Sequence, residues 1–107
     1  MSKSPKTATK PAPRRGVLKL PADLGVEHAR DFQEKLAGRV EDARTIVLDA
    51  REVSRIHTAA IQLLCIFCQD RRNAGRQTQW RQPSDTLRSA ASLLGVSTLL
   101  ELAREGA

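Results

Sequence analysis

The stretch from Thr45 to Ile61 constrains most tightly what this chain can become. Thr45-Ile46-Val47-Leu48 is an apolar, β-branched run that ends at Asp49. A run without polar alternation predicts a strand buried on both faces, and such strands belong to the interior of mostly parallel sheets. A polar connection follows from Asp49 to His57, with Val53 and Ile56 as its large apolar residues. Thr58 then opens a helical pattern that continues through Ala59-Ala60-Ile61-Gln62-Leu63-Leu64-Cys65-Ile66-Phe67-Cys68. A threonine hydroxyl can accept from an orphan N–H of the first turn, so Thr58 is expected as the N-cap. Strand, loop and capped helix together set a hydroxyl at the positive end of a helix, beside the carboxyl end of a strand. Open α/β sheets place their binding sites there.

The rest of the chain repeats the alternation. Val17-Leu18-Lys19-Leu20 reads as a short strand closed by Pro21, and Ala22-Asp23-Leu24-Gly25 as a loop or a second short extended piece. Apolar positions 26, 29, 32, 36 and 37 predict a helix over Val26 to Ala37, stopped by Gly38. The helix opened by Thr58 should reach Asn73, with Gly75 as its stop. Gln77 to Arg81 reads as a strand near a sheet edge, because Thr78 and Trp80 share one face and Gln77, Gln79 and Arg81 the other. Ser84 is a candidate N-cap for a helix whose apolar face is Leu87, Ala90, Ala91 and Leu94, ended by Gly95. Val96 to Leu102 is apolar and predicts a short final helix. The order β, α, β, α, β, α, α implies an α/β layer.

With 107 residues there is chain for one domain with a modest core. The formal charge of +6 is unevenly spread. Residues 1–15 carry Lys3, Lys6, Lys10, Arg14 and Arg15 and no acid, which leaves 13 basic against 12 acidic residues in the remainder. No basic domain face for nucleic acid is indicated. The Pro- and Lys-rich stretch 1–15 lacks core-forming residues and is expected to be a disordered tail preceding a domain over 16–107. No apolar stretch approaches the length of a bilayer span, and no signal-peptide core is visible. A cytoplasmic location without membrane insertion is therefore expected.

Cys65 and Cys68 form a C-x-x-C, but it lies inside a continuous helical apolar run, and no second pair exists to complete a zinc site. Both are expected to pack as small hydrophobes, with no metal and no cofactor. An enzyme would need a nucleophile, a base and an orienting group. His57 neighbours Thr58 but points elsewhere at a helix start, and no phosphate loop, paired carboxylate or H-x-x-x-H is present, so no catalytic residue is assigned.

Asp49-Ala-Arg-Glu-Val53-Ser-Arg-Ile56-His-Thr58-Ala-Ala-Ile61 resembles the signature of STAS domains, named for sulphate transporters and anti-sigma factor antagonists. The leading acid, the apolar residues Val53, Ile56 and Ile61, and the hydroxyl of Thr58 match that pattern. Leu18-Lys-Leu20-Pro-Ala-Asp-Leu24 is similar to the family's opening, and Gly75 to Trp80, Pro83-Ser84 and Leu93-Leu94-Gly95-Val96 to its close. His57 stands where the family usually has an acid, and Ala60 where it usually has glycine. The resemblance implies a small α/β domain with a mixed four- to five-stranded sheet packed by about four helices. It also implies a non-enzymatic, protein-binding role in bacterial signalling. In the antagonist branch the residue matching Thr58 is phosphorylated by a kinase-like, ATP-binding anti-sigma partner, and this switches partner choice. In another branch a similar small subunit binds the ATPase of a phospholipid transporter. The resemblance thus makes Thr58 the candidate phosphorylation site, and Asp49, Ser54, Arg55, His57, Thr58, Ala59 and Gln62 the candidate partner surface.

Overall fold

The computed structural model describes residues 15–102. In chain order the elements are β1 (Arg15–Lys19), β2 (Asp23–Leu24), a 3-10 turn (Val26–His28), α1 (Ala29–Ala37), β3 (Thr45–Asp49), β4 (Arg55–Ile56), α2 (Thr58–Asn73), β5 (Thr78–Arg81) and α3 (Asp85–Leu93). The expectation of a disordered tail falls mainly on residues 1–14, outside the described residues. Arg15, the last residue assigned to that tail, is the first of β1.

β3 takes the central place that its apolar run predicts. It pairs in parallel with β1 on one side, Gly16 against Ile46 and Leu18 against Leu48, and with β5 on the other, Leu48 against Trp80. The sheet order is β1-β3-β5. β2 and β4 form a separate two-stranded parallel pair, with Asp23 opposite Arg55 and Leu24 opposite Ile56. The expected mixed sheet of four or five strands is thus corrected, among the described residues, to a parallel sheet of three strands and a small satellite. The satellite lies beyond Pro21 on one segment and beyond the turn after Asp49 on the other.

Strand alternation sends Leu18, Ile46, Leu48 and Trp80 into one core with Phe32 and Leu36 of α1, Ile61, Leu64 and Phe67 of α2, and Leu87 and Ala91 of α3. All three α-helices therefore contribute to the core on one face of the sheet. On the other face Val17 keeps 44% of its surface exposed, and Val47 is buried outside the main cluster. β3 is covered on both sides, as an inner strand should be.

The helix boundaries show where local rules held. α2 and α3 each close with a left-handed glycine, Gly75 at φ +77° and Gly95 at φ +72°. In both, the next residue's N–H reaches back five residues, Arg76 to the Arg71 carbonyl at 2.8 Å and Val96 to the Ala91 carbonyl at 2.9 Å. Ser84 caps α3 by accepting from the Leu87 N–H at 3.2 Å. Two expectations are corrected. Val26 to His28 is a 3-10 turn, not the first turn of α1, and Val26 is exposed. Ser97 to Glu101 forms a series of hydrogen-bonded turns instead of the expected helix, with Glu101 at φ +64°, and within the segment only Leu102 is helical. Leu100 and Leu102 are both buried, and the Trp80 indole donates to the Leu100 carbonyl at 2.7 Å. Anchoring two side chains and a carbonyl at once is incompatible with a regular 3.6-residue period.

The polar half of α2 hides a charge. Arg71 has no exposed surface. Its guanidinium donates to the carbonyls of Arg39, Asp42, Arg44 and Gln77 at 3.0, 2.8, 2.8 and 2.7 Å and to the Thr78 hydroxyl at 2.9 Å. The Phe67 ring lies 5.7 Å from it. Burial lowers the Arg71 pKa from its ordinary value.

Candidate functional site

The candidate surface forms where β4 hands over to α2. Its position is fixed by the chain around Asp23. The Ser54 and Arg55 N–H groups donate to the Ala22 carbonyl at 2.8 and 3.1 Å, and the His57 N–H donates to the Leu24 carbonyl at 3.0 Å. The Arg55 guanidinium reaches the Asp23 carboxylate at 2.7 Å and that of Glu27 at 3.2 Å. The Arg55 hydrogen bond holds the Asp23 carboxyl below its usual range, and a bond from its own backbone N–H, aided by Arg55, does the same for Glu27. A Cβ on Gly25 would lie 2.1 Å from the guanidinium, so the close approach depends on glycine there. These acids were missed from the sequence. They lie 28 and 32 residues from Arg55, and only the register Asp23 opposite Arg55 brings them together.

The N-cap expectation is corrected. His57, not Thr58, caps α2: it is extended, at φ −93° and ψ 154°, and its Nδ1 accepts from the Ala59 N–H at 3.1 Å. The His57 carbonyl accepts from the N–H groups of Ala60 and Ile61. Thr58 is therefore the first helical residue. It is exposed, and its hydroxyl has no hydrogen-bond partner among the described residues. An imidazole whose Nδ1 is an acceptor carries its proton on Nε2, so the cap requires the neutral ring. The sequence signal for this cap is weak, since histidine is not among the preferred N-cap residues.

Of the candidate surface residues, Ser54, Arg55, His57, Thr58 and Gln62 are exposed and Ala59 is half-buried. They sit together on the loop and first turn of α2. Asp49 is not part of that surface. It is buried, and its carboxylate accepts from Arg51 Nη2 at 3.0 Å and Nε at 3.3 Å. The Arg51 guanidinium holds the Asp49 carboxyl below the usual carboxylate range. The leading acid of the motif therefore anchors the turn after β3 inside the fold.

Moving the cap to His57 makes an expected result. His57→Ala should lower folding stability by about 1 kcal/mol, the ordinary scale for loss of a side-chain cap, while Thr58→Ala should change it by a few tenths. Urea midpoints of the two variants, compared at one pH, decide this. The reverse order would return the cap to Thr58.

Cys68 is buried in the core cluster and Cys65 packs against it, which fits their expected packing role. Burial pushes the Cys68 thiol up to about 12 and raises that of Cys65. Among the described residues, Asp23, Glu27 and His28 form the group close enough to hold a metal ion. Both carboxylates already accept from Arg55. No helix among the described residues is long and apolar enough to cross a membrane.

A three-stranded parallel sheet, helices on one side of it and an exposed hydroxyl at a helix start define a small α/β domain with a surface site. Residues 7–101 match the family described as "Mlab, STAS domain", and the chain belongs to the STAS domain family. The match includes residues 7–14, ahead of β1. It is a family of regulatory and binding modules that mediate contacts between proteins. No curated protein matches the chain.

Proposed function

We propose that the protein is a non-enzymatic, cytoplasmic regulator that docks on a protein partner through the start of α2, with phosphorylation of Thr58 as its switch. The observation that carries this reading is the free Thr58 hydroxyl. His57 caps the helix, and the Thr58 hydroxyl is exposed with no hydrogen-bond partner among the described residues. A kinase-like, ATP-binding partner of the anti-sigma type would transfer the γ-phosphoryl group of ATP to that oxygen and leave ADP. The phosphate would then sit at a helix N-terminus, where the dipole favours negative charge, so the domain would stay folded while its docking surface changed sign.

A second reading is favoured by His57 in the place of the usual acid. There the same surface is a constant contact with the ATPase of a lipid-transport system, and Thr58 is not modified. Nothing in either reading needs a cofactor.

Thr58→Asp separates the two. The partner is captured from the native cell with the wild-type protein, and the complex is then measured with purified components. The switch reading expects an unchanged urea midpoint and a complex weakened by about tenfold or more, because charge enters a surface made for a neutral hydroxyl. Native-like affinity of the Asp variant, together with a native protein that carries no phosphate at Thr58, would remove the switch. A transporter ATPase as the captured partner would then establish the contact reading.

A further inference from the structure

The other end of α2 borders an unused sheet edge. β5 has β3 on one side and no strand on the other among the described residues. The Gln77 and Arg81 carbonyls accept from the Ile46 and Ala50 N–H groups, so these alternate residues turn their backbone toward β3. Thr78 and Trp80 must then direct their N–H and C=O groups to the open side. None of these four groups has a backbone partner among the described residues. An open cavity of about 630 Å³ is lined by residues 77–80 of this strand segment together with Cys68, Arg72, Arg76, Leu100 and Glu101. Its size lies within the roughly 300–1,000 Å³ common for ligand clefts.

The charge left over at the cavity is basic. Glu101 is its acid and is already engaged by Arg72 at 3.1 Å. Arg76, in the same lining, has no ion-pair partner among the described residues. Unpaired donors and acceptors of a strand edge recognise another extended backbone, and the flanking side chains select its charge.

We propose that this edge is a second docking site, which takes an extended acidic segment of a partner protein as a fourth strand beside β5. It is separate from the Thr58 surface: the sixteen residues of α2 place the two ends on the order of 24 Å apart. Backbone pairing through Thr78 and Trp80 supplies the attachment, and Arg76 selects acid over base. The short length of β5, four residues, limits the site to a few paired positions.

The probe is a pool of short labelled peptides with Glu at alternate positions and the rest varied, added to the full chain and followed by fluorescence anisotropy. Saturable binding is expected, with slowed hydrogen exchange at the Thr78 and Trp80 amides. The matching pool with Lys at those positions, and backbone N-methylated acidic peptides, should not bind. Arg76→Glu should weaken the acidic pool by about tenfold, the scale of one charge reversal at an interface rim, with no change in the urea midpoint. Absence of binding, equal binding of the Lys pool, or exchange protection confined to other elements would overturn the proposal. So would self-association that protects Thr78 and Trp80 without peptide, because the occupant would then be a second copy.

Discussion

Replacing Arg71 with leucine is expected to cost about 3–5 kcal/mol of folding stability, measured as a lowered urea midpoint. Swapping a buried charge for an apolar residue can be neutral when its partner is replaced as well. Here the partners are main-chain carbonyls of Arg39, Asp42, Arg44 and Gln77, which no side-chain substitution removes. Leucine would leave them facing an apolar side chain, and each unsatisfied acceptor costs about 1–3 kcal/mol where water cannot reach it. A domain of this kind holds roughly 5–15 kcal/mol in total, so the loss is a large share. Arg71→Lys should recover little. An ammonium is a compact point charge with three donors and cannot span acceptors disposed around a planar fork. A leucine variant within about 1 kcal/mol of wild type would show that the carbonyls find water, and that the cage contributes little.

Trp80→Ala should cost about 3–5 kcal/mol, the range for deleting a large buried aromatic. Trp80 retains 6% of its surface, sits opposite Leu48 in the sheet and reaches the core shared by the three helices. Trp80→Phe isolates the polar part of this. It keeps most of the packing and removes the donor to the Leu100 carbonyl, which should cost about 1–3 kcal/mol and loosen the turns from Val96 onward. Hydrogen exchange at the Leu100 and Leu102 amides, which pair with the Val96 and Ser97 carbonyls, reports that loosening directly. A phenylalanine variant with native exchange there would mean that the two buried leucines hold the segment without the indole.

Segments of the chain differed in how legible they were. The central strand could be read because Thr45 to Leu48 leaves no polar face to expose. The ends of α2 and α3 could be read because glycine and Ser84 act through local geometry. What failed were features fixed by distant partners. Asp23-Leu24 was open to reading as a short extended piece, but its pairing with β4 was not, since two residues a side are too few for any period to show. The Val96 to Leu102 segment is shaped by an indole twenty residues away in sequence. At the candidate site the hydroxyl position was read from the motif, and its cap was assigned one residue too late because a histidine cap has little sequence signal. Arg71 did leave a trace. Ile61, Leu64, Phe67, Cys68 and Arg71 fall on one helical stripe, so the arginine stands where that stripe would continue with an apolar residue.

The cage around Arg71 has a consequence for motion. The connection between α1 and β3 is exposed over much of its length, and segments of that kind usually fray first. This one cannot lift away alone. Withdrawing the carbonyls of residues 39, 42 and 44 would strand a cation in the interior beside the Phe67 ring. Local opening therefore costs more than the loop's exposure alone would suggest. A surface loop acquires the persistence of the core, and the start of β3 and the end of α2 open together or stay closed.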